Sequence, residues 1–140
     1  MIGKLITKVI GTSSERKVKK LSGDVEKINA IYEGLKDVSD EYFLKRTAEF
    51  KEMISTRLEE AIQETKEEEL SDKEIHEAEL AVLEDILEEL MHEAFANVKE
   101  VCRRLVGESW NVVGQKVNWE MVPFDEQLIG AIELHRGNIA

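Results

Sequence analysis

A chain of 140 residues is long enough to bury a real core as one domain or a piece of one, and 42% hydrophobic with 35% charged residues fits a soluble, helix-rich protein. One proline and 8 glycines leave long stretches in which nothing breaks a helix, and no stretch approaches the ~20 apolar residues needed to cross a bilayer. The lone Cys102 excludes an internal disulfide or a multi-cysteine zinc site and suits a reducing compartment, while Lys4, Thr7 and Lys8 make the first residues too polar for a secretory signal.

The net charge of -11 is unevenly spread. Residues 1–36 carry 8 Lys+Arg against 4 Asp+Glu, residues 37–100 carry 7 against 21, and residues 101–140 carry 4 against 5. The basic arm suits an anionic surface, whereas the acidic middle repels one, which argues against nucleic acid as a partner.

Ile2, Leu5, Ile6, Val9 and Ile10 recur with the spacing of one helix face, Lys4 and Lys8 lie off it, and Gly11 ends it. From periodicity alone this short helix suits a membrane interface and a protein surface about equally. Thr12-x-x-Glu15 reads as a capping box opening a helix whose seam is Val18, Leu21, Val25, Ile28, Tyr32 and Leu35. Ser39 caps the next helix, with Val38 and Phe43 as a hydrophobic staple, and its apolar face runs through Thr47, Phe50, Ile54, Leu58 and Ile62. The acidic run Glu64 to Glu69 dilutes that face, and Ser71-x-x-Glu74 starts a third helix, with Leu70 and Ile75 as its staple.

Ile75, Val82, Leu83, Ile86, Leu87 and Leu90 lead toward Phe95, Val98, Cys102 and Leu105, and the pattern leaves open whether the chain bends near Met91 and His92. Arg103, Arg104 and Gly107 form the stop signal. The period then changes to two. Trp110 and Val112 alternate, Gly114-Gln115 interrupts, and Val117, Trp119 and Met121 alternate again, predicting a two-stranded ribbon whose tryptophans pack on helices. Pro123 ends the ribbon, Asp125 caps a last helix from about Glu126 to Arg136, and Gly137 closes it. The fold class is therefore mainly α, with long amphipathic helices and a short β-ribbon.

Three blocks of residues carry a family resemblance. The first is Lys4-Leu5-Ile6-Thr7-Lys8-Val9-Ile10-Gly11. The second is Glu93-Ala94-Phe95-Ala96-x-Val98-Lys99-Glu100 with Arg103-Arg104 after it and Thr47-Ala48-Glu49-Phe50 upstream. The third and most specific is Trp119-x-Met121-Val122-Pro123-Phe124-Asp125-x-Gln127-Leu128-Ile129-Gly130, followed by Leu134-His135-x-Gly137-x-Ile139-Ala140. In this order they resemble the N-terminal portion of SecA, the motor that drives preproteins through the membrane channel. That resemblance implies the start of a helicase-like P-loop α/β ATPase domain. It divides the chain into a docking helix at 1–11, a helical region with an acidic hairpin at 12–106, and a ribbon with the adenine-recognition motif at 107–140. It also implies a cytoplasmic protein, peripheral at the inner membrane, that partners the protein-conducting channel and preproteins, with a homodimer among the family's forms.

The chemistry of the third block also follows from its residues. A glutamine amide presents a donor and an acceptor side by side, matching the N6 and N7 edge of adenine, so Gln127 is suited to reading that base. Met121 and Phe124 supply apolar surface for the ring. By resemblance Met121, Phe124 and Gln127 are the adenine-side residues and Asp125 shapes the turn, while Ile2, Lys4, Leu5, Ile6, Lys8 and Val9 dock at anionic lipid and the channel. In the family, Glu-Met-x-Thr-Gly-Glu-Gly-Lys-Thr follows the position of Ile139-Ala140 and grips the phosphates of ATP and its magnesium. Those residues are absent here, so the 140 residues alone are expected to hydrolyse no ATP and to contain no catalytic group. Gly130-Ala131 replaces the usual glycine pair, and Met91-His92 replaces a leucine-proline.

The competing reading is a short non-enzymatic helical paralogue or remnant that binds the channel, lipid or a full-length motor. Glu89-x-x-His92 has metal-pair spacing without the second pair a di-iron bundle needs, so it reads as a solvated face. Cys102 lies on an apolar stripe and reads as a buried structural thiol, and the acidic run from Glu59 to Glu89 reads as a solvated hairpin surface.

Overall fold

The structure is a computed structural model that describes residues 13–67 and 70–139, with side chains described over 19–65 and 70–139. Among the described residues the elements in chain order are α1 (Ser13–Gly34), α2 (Asp40–Glu67), α3 (Asp72–Leu105), β1 (Ser109–Val112), β2 (Gln115–Asn118) and α4 (Asp125–His135). The docking helix expected at 1–11, with Ile2, Lys4, Leu5, Ile6, Lys8 and Val9, lies outside the described residues, as does the Thr12 capping box. No helix among the described residues is long and apolar enough to cross a membrane.

The chain divides into two compact units, one formed by residues 1–36 with 95–140 and the other by residues 37–94. In the first, α1 packs against α4. The seam read from the sequence is the one buried: Leu21, Val25, Ile28 and Leu35 are core residues of α1, and Leu128 and Ile132, one turn apart, are the buried face of α4. Ile28 and Ile132 are fully enclosed. Ala96 and Cys102 are buried on α3 in the same unit, and burial pushes the Cys102 thiol above its ordinary pKa. Val98, expected on the buried stripe, is instead exposed, because Asn97, Lys99 and Glu100 occupy the inward positions.

In the second unit the helix starts follow the sequence. Ser39 immediately precedes α2, and its hydroxyl holds the Glu41 carboxyl below the usual range. At α3 the capping box is reciprocal: Ser71 N–H donates to Glu74 Oε2 at 2.9 Å, and Glu74 N–H reaches back to Ser71 Oγ at 3.5 Å. α3 runs unbroken through Met91 and His92, and Met91 is buried. Ile86 and Leu90 join Met91 and Phe43 in this unit's core, while Leu87 is exposed. Arg46 donates from Nη2 to Glu93 Oε2 at 2.7 Å and from Nη1 to Glu49 Oε2 at 2.7 Å, tying α2 to α3.

The ribbon is antiparallel, with Trp110 opposite Val117 and Val112 opposite Gln115. Its turn is Val113-Gly114, both at positive φ (51° and 79°), one residue before the predicted Gly114-Gln115. All eight strand residues are exposed, Trp110 at 46%, so the ribbon's apolar face is not buried as expected. A four-residue ribbon has too little apolar area to hold itself against a helix at every position. Trp119, just past β2, makes the attachment instead. Its indole N–H is shared between the Cys102 carbonyl at 3.0 Å and the Met121 carbonyl at 2.8 Å, and its ring meets Trp110 edge to face.

Candidate functional site

The segment from Trp119 to Gln127 is positioned from both sides. Upstream, Trp119 N–H donates to the Glu108 carbonyl at 2.9 Å and Gly107 N–H donates to the Trp119 carbonyl at 3.0 Å, fixing the return from the ribbon to the end of α3. The indole bond to the Met121 carbonyl then fixes the backbone at Met121. Downstream, α4 begins one residue earlier than predicted. Phe124 is the N-cap, with extended backbone (φ -81°, ψ 165°), and Asp125 is already helical. The predicted Asp125 cap is therefore corrected: an aromatic residue holds the position, and the capping chemistry comes from three residues on. Gln127 Oε1 accepts the Phe124 N–H at 2.9 Å, satisfying a donor that the helix start would otherwise leave open.

Freed from capping, the Asp125 carboxylate joins a polar cluster on α1 and α3. Asn29 Nδ2 donates to Asp125 Oδ1 at 3.0 Å, Lys99 Nζ donates to Asn29 Oδ1 at 2.8 Å, and Lys99 Nζ lies 3.6 Å from Asp125 Oδ1. Lys99 is buried, and its ammonium also sits 5.2 Å from the Tyr32 ring centroid. Such an ammonium is tolerated in the interior only with partners of this kind. The far end of α4 is held in the same manner, by Arg136 Nη2 to Asp24 Oδ2 at 3.0 Å. Gly137 then ends the helix at φ 74°, with Asn138 N–H on the Glu133 carbonyl and Gly137 N–H on the Leu134 carbonyl, the pairing of a Schellman stop.

A second polar cluster lies on α3. Glu100, with no exposed surface, accepts Nε and Nη2 of Arg103 at 2.8 and 2.6 Å and Nε of Arg104 at 2.8 Å. The Arg103 hydrogen bonds, helped by Arg104 and opposed by burial, hold the Glu100 carboxyl below the usual carboxylate range. Arg104 Nη2 extends to the Leu35 carbonyl at 3.1 Å, so a cation sits at the C-terminal end of α1.

The structure presents Met121, Phe124 and Gln127 on the surface, at the entry to a helix braced at both ends. Phe124 is 71% exposed and lines an open cleft of about 420 Å³ together with Lys99, Val122, Pro123, Asp125 and Glu126. Met121 and Gln127 do not line that cleft. Gln127 keeps a second lone pair on Oε1 and its amide donors beyond the cap bond. Sequence reading missed Asn29, Asp24 and Lys99 as the residues that position this segment. Lys99 and Glu100 fall in the second quoted block, and their charged chemistry inside an otherwise apolar stripe was the available signal. Among the described residues no group of three His, Cys, Asp or Glu side chains could hold a metal ion.

Residues 6–140 match the family model described as the SecA DEAD-like domain. A protein translocase subunit SecA from Prosthecochloris aestuarii is 38% identical over 98% of this chain and 15% of its own length. The corresponding subunit from Chlorobaculum tepidum is 39% identical over the same shares, and that from Salinibacter ruber is 36% identical over 96% of this chain and 15% of its own. No solved structure matches the chain. Helices with a short ribbon, leading into a capped helix, are thus the helix-rich N-terminal portion of a DEAD-like, helicase-type domain. The chain belongs to the SecA DEAD-like domain family. It spans about 15% of the length of the curated relatives it matches.

Proposed function

We propose that this chain is the N-terminal portion of a SecA-like motor coupling ATP hydrolysis to preprotein export through the membrane channel, and that its own share is the adenine-reading entrance. The observation that carries the reading is the Gln127 side chain, held by its Oε1 bond to Phe124 N–H so that its amide faces outward beside exposed Phe124. A pre-positioned amide reads a base edge without first losing its rotamer freedom. Adenine offers an N6 donor and an N7 acceptor to that amide, whereas guanine offers two acceptors. Residues 1–140 contain no Gly-x-x-x-x-Gly-Lys phosphate loop, so magnesium and phosphate contacts fall to residues other than these.

Base contact alone gives weak binding. AMP is expected to bind this chain with Kd on the order of 1 mM, shifting the Gln127 amide and Met121 methyl NMR signals, with GMP shifting neither and ATP undergoing no turnover. Gln127→Glu keeps the acceptor for Phe124 N–H but removes the amide donors, so it abolishes the AMP response while leaving the helix intact. Equal responses to AMP and GMP, or micromolar ATP affinity, would overturn the reading.

The N-terminal residues Ile2, Lys4, Leu5, Ile6, Lys8 and Val9 supply reversible docking at anionic lipid on the cytoplasmic face, beside the channel, in the same proposal. Sedimentation with phosphatidylglycerol vesicles is expected to fall at least several-fold when residues 1–11 are deleted, since about 1 kcal/mol is lost with each lysine. Undiminished sedimentation would remove lipid docking from the proposal.

A further inference from the structure

The distal half of the helical hairpin, in the unit formed by residues 37–94, is short of a covering layer. Ile54, Leu58 and Ile62 recur one turn apart on α2, and Leu80, Leu83 and Leu87 follow heptad spacing on α3. Farther along the same helices Phe43, Ile86, Leu90 and Met91 are buried, whereas Ile54, Leu58, Ile62 and Leu83 are only half-buried and Leu80 is 45% and Leu87 37% exposed. Two helices side by side cannot enclose such a seam, whereas a third laid along them can. The seam is also formed as a groove: Leu58, Ile62, Leu80 and Leu83, with His76 and Glu79, line a hollow of about 170 Å³.

The charge around the groove selects what fits it. Residues 57–65 and 70–89 carry 11 Asp+Glu against 2 Lys+Arg, and Arg57 is already committed to Glu89 at 2.6 Å and Lys73 to Glu77 at 3.3 Å. The sequence reads this run as merely solvated, but a solvated hairpin has no use for an apolar groove along its acidic face. An acidic helix docking there would meet repulsion and a neutral one would gain no attraction, whereas a cationic one gains steering and rim pairing.

We propose that the Leu58–Leu83 groove binds a basic amphipathic helix of a partner protein, whose apolar stripe fills the groove and whose lysines or arginines face the surrounding carboxylates. This surface is independent of the Met121, Phe124 and Gln127 site.

The test uses the full 140-residue chain and a fluorescein-labelled helical peptide with leucines at i, i+3, i+4 and i+7 and lysines elsewhere. Two controls are a scramble of the same composition and a version with glutamate for lysine. Fluorescence anisotropy is expected to report binding of the lysine peptide alone, weakening as salt rises. Leu80→Ser, at a position exposed enough to leave the fold intact by circular dichroism, is expected to lower affinity about tenfold, as is typical for losing one buried leucine contact. Glu79→Lys, which leaves the apolar lining in place, lowers it as well. Equal binding of the scramble, no binding of the lysine peptide, or an affinity unchanged by both variants would overturn the proposal. A concentration-dependent dimer in sedimentation velocity that Leu80→Ser dissociates would assign the groove to a second copy and also overturn it.

Discussion

Replacing Glu100 with alanine is expected to destabilise the fold by about 2–3 kcal/mol, the largest effect of any charged side chain among those described. Removing one member of a buried ion pair typically costs about 3–5 kcal/mol because the remaining charge is left without compensation. Here the figure falls to the bottom of that range and below it, since Arg103 is 42% exposed and can rehydrate. Arg104, 21% exposed and bound to the Leu35 carbonyl, has less room to do so. Glu100→Gln keeps the shape and part of the hydrogen bonding and is expected to lose less. For contrast, Arg57–Glu89 is an exposed pair, and Arg57→Ala is expected to cost under about 1 kcal/mol. Denaturant unfolding of the three variants checks this order. A Glu100→Ala loss no larger than that of Arg57→Ala would show that the cluster carries no stability.

The same carboxylate makes stability depend on pH. Its pKa is depressed in the folded state, so the folded chain binds a proton at Glu100 less readily than the unfolded chain does. The contribution is therefore fully present above the unfolded carboxylate value of about 4.3 and is lost as pH falls through the lower folded value. Glu100→Gln is expected to flatten the pH dependence of stability below about pH 4.5 while leaving the shape of the curve from pH 6 to 8 unchanged.

The elements were legible because each has a local cause. The helix start after Ser39, the capping at Ser71, the seam Leu21, Val25, Ile28 and Leu35, and the stop at Gly137 depend on residues within a turn or two of one another, which a single sequence displays directly. What stayed hidden depends on distance. Asn29 and Asp125 stand 96 positions apart and Arg136 and Asp24 stand 112 apart, and nothing local marks either pair. Lys99 and Glu100 interrupt an apolar stripe, and a periodic reading that finds Ile86, Leu90 and Cys102 on the buried face of α3 wrongly adds Val98 in place of its charged neighbours. At the candidate site one role was exchanged. Asp125 is a familiar capping residue, yet it is drawn off by Asn29 and Lys99, and Gln127 takes up the free Phe124 amide. The ribbon was readable in its period and misread in its packing, since alternation predicts a shared face but not what covers it.

Truncating Ile28 to alanine is expected to loosen α4 and cost about 2–5 kcal/mol, a large fraction of the stability of a domain this size. Ile28 has no exposed surface, α1 is the helix against which α4 packs, and α4 buries only Leu128 and Ile132 in return. An 11-residue helix with two buried side chains is not stable by its own propensity, so its position depends on that contact. The Asn29–Asp125 and Arg136–Asp24 bonds at its two ends contribute roughly 1 kcal/mol each and cannot hold it alone. Hydrogen exchange is the measurement that separates this from general weakening. Protection of the α4 amides should fall about 30-fold or more for a loss of 2 kcal/mol, with the amides of residues 40–67 little changed. The AMP response proposed for Gln127 should weaken with it, because its side chain is held by the first turn of α4. Ile132→Ala should reproduce the effect, and the double variant should lose less than the sum, as expected when two truncations open one shared cavity. Additive losses, or equal deprotection across residues 40–67, would show that α4 is held by something other than this apolar contact.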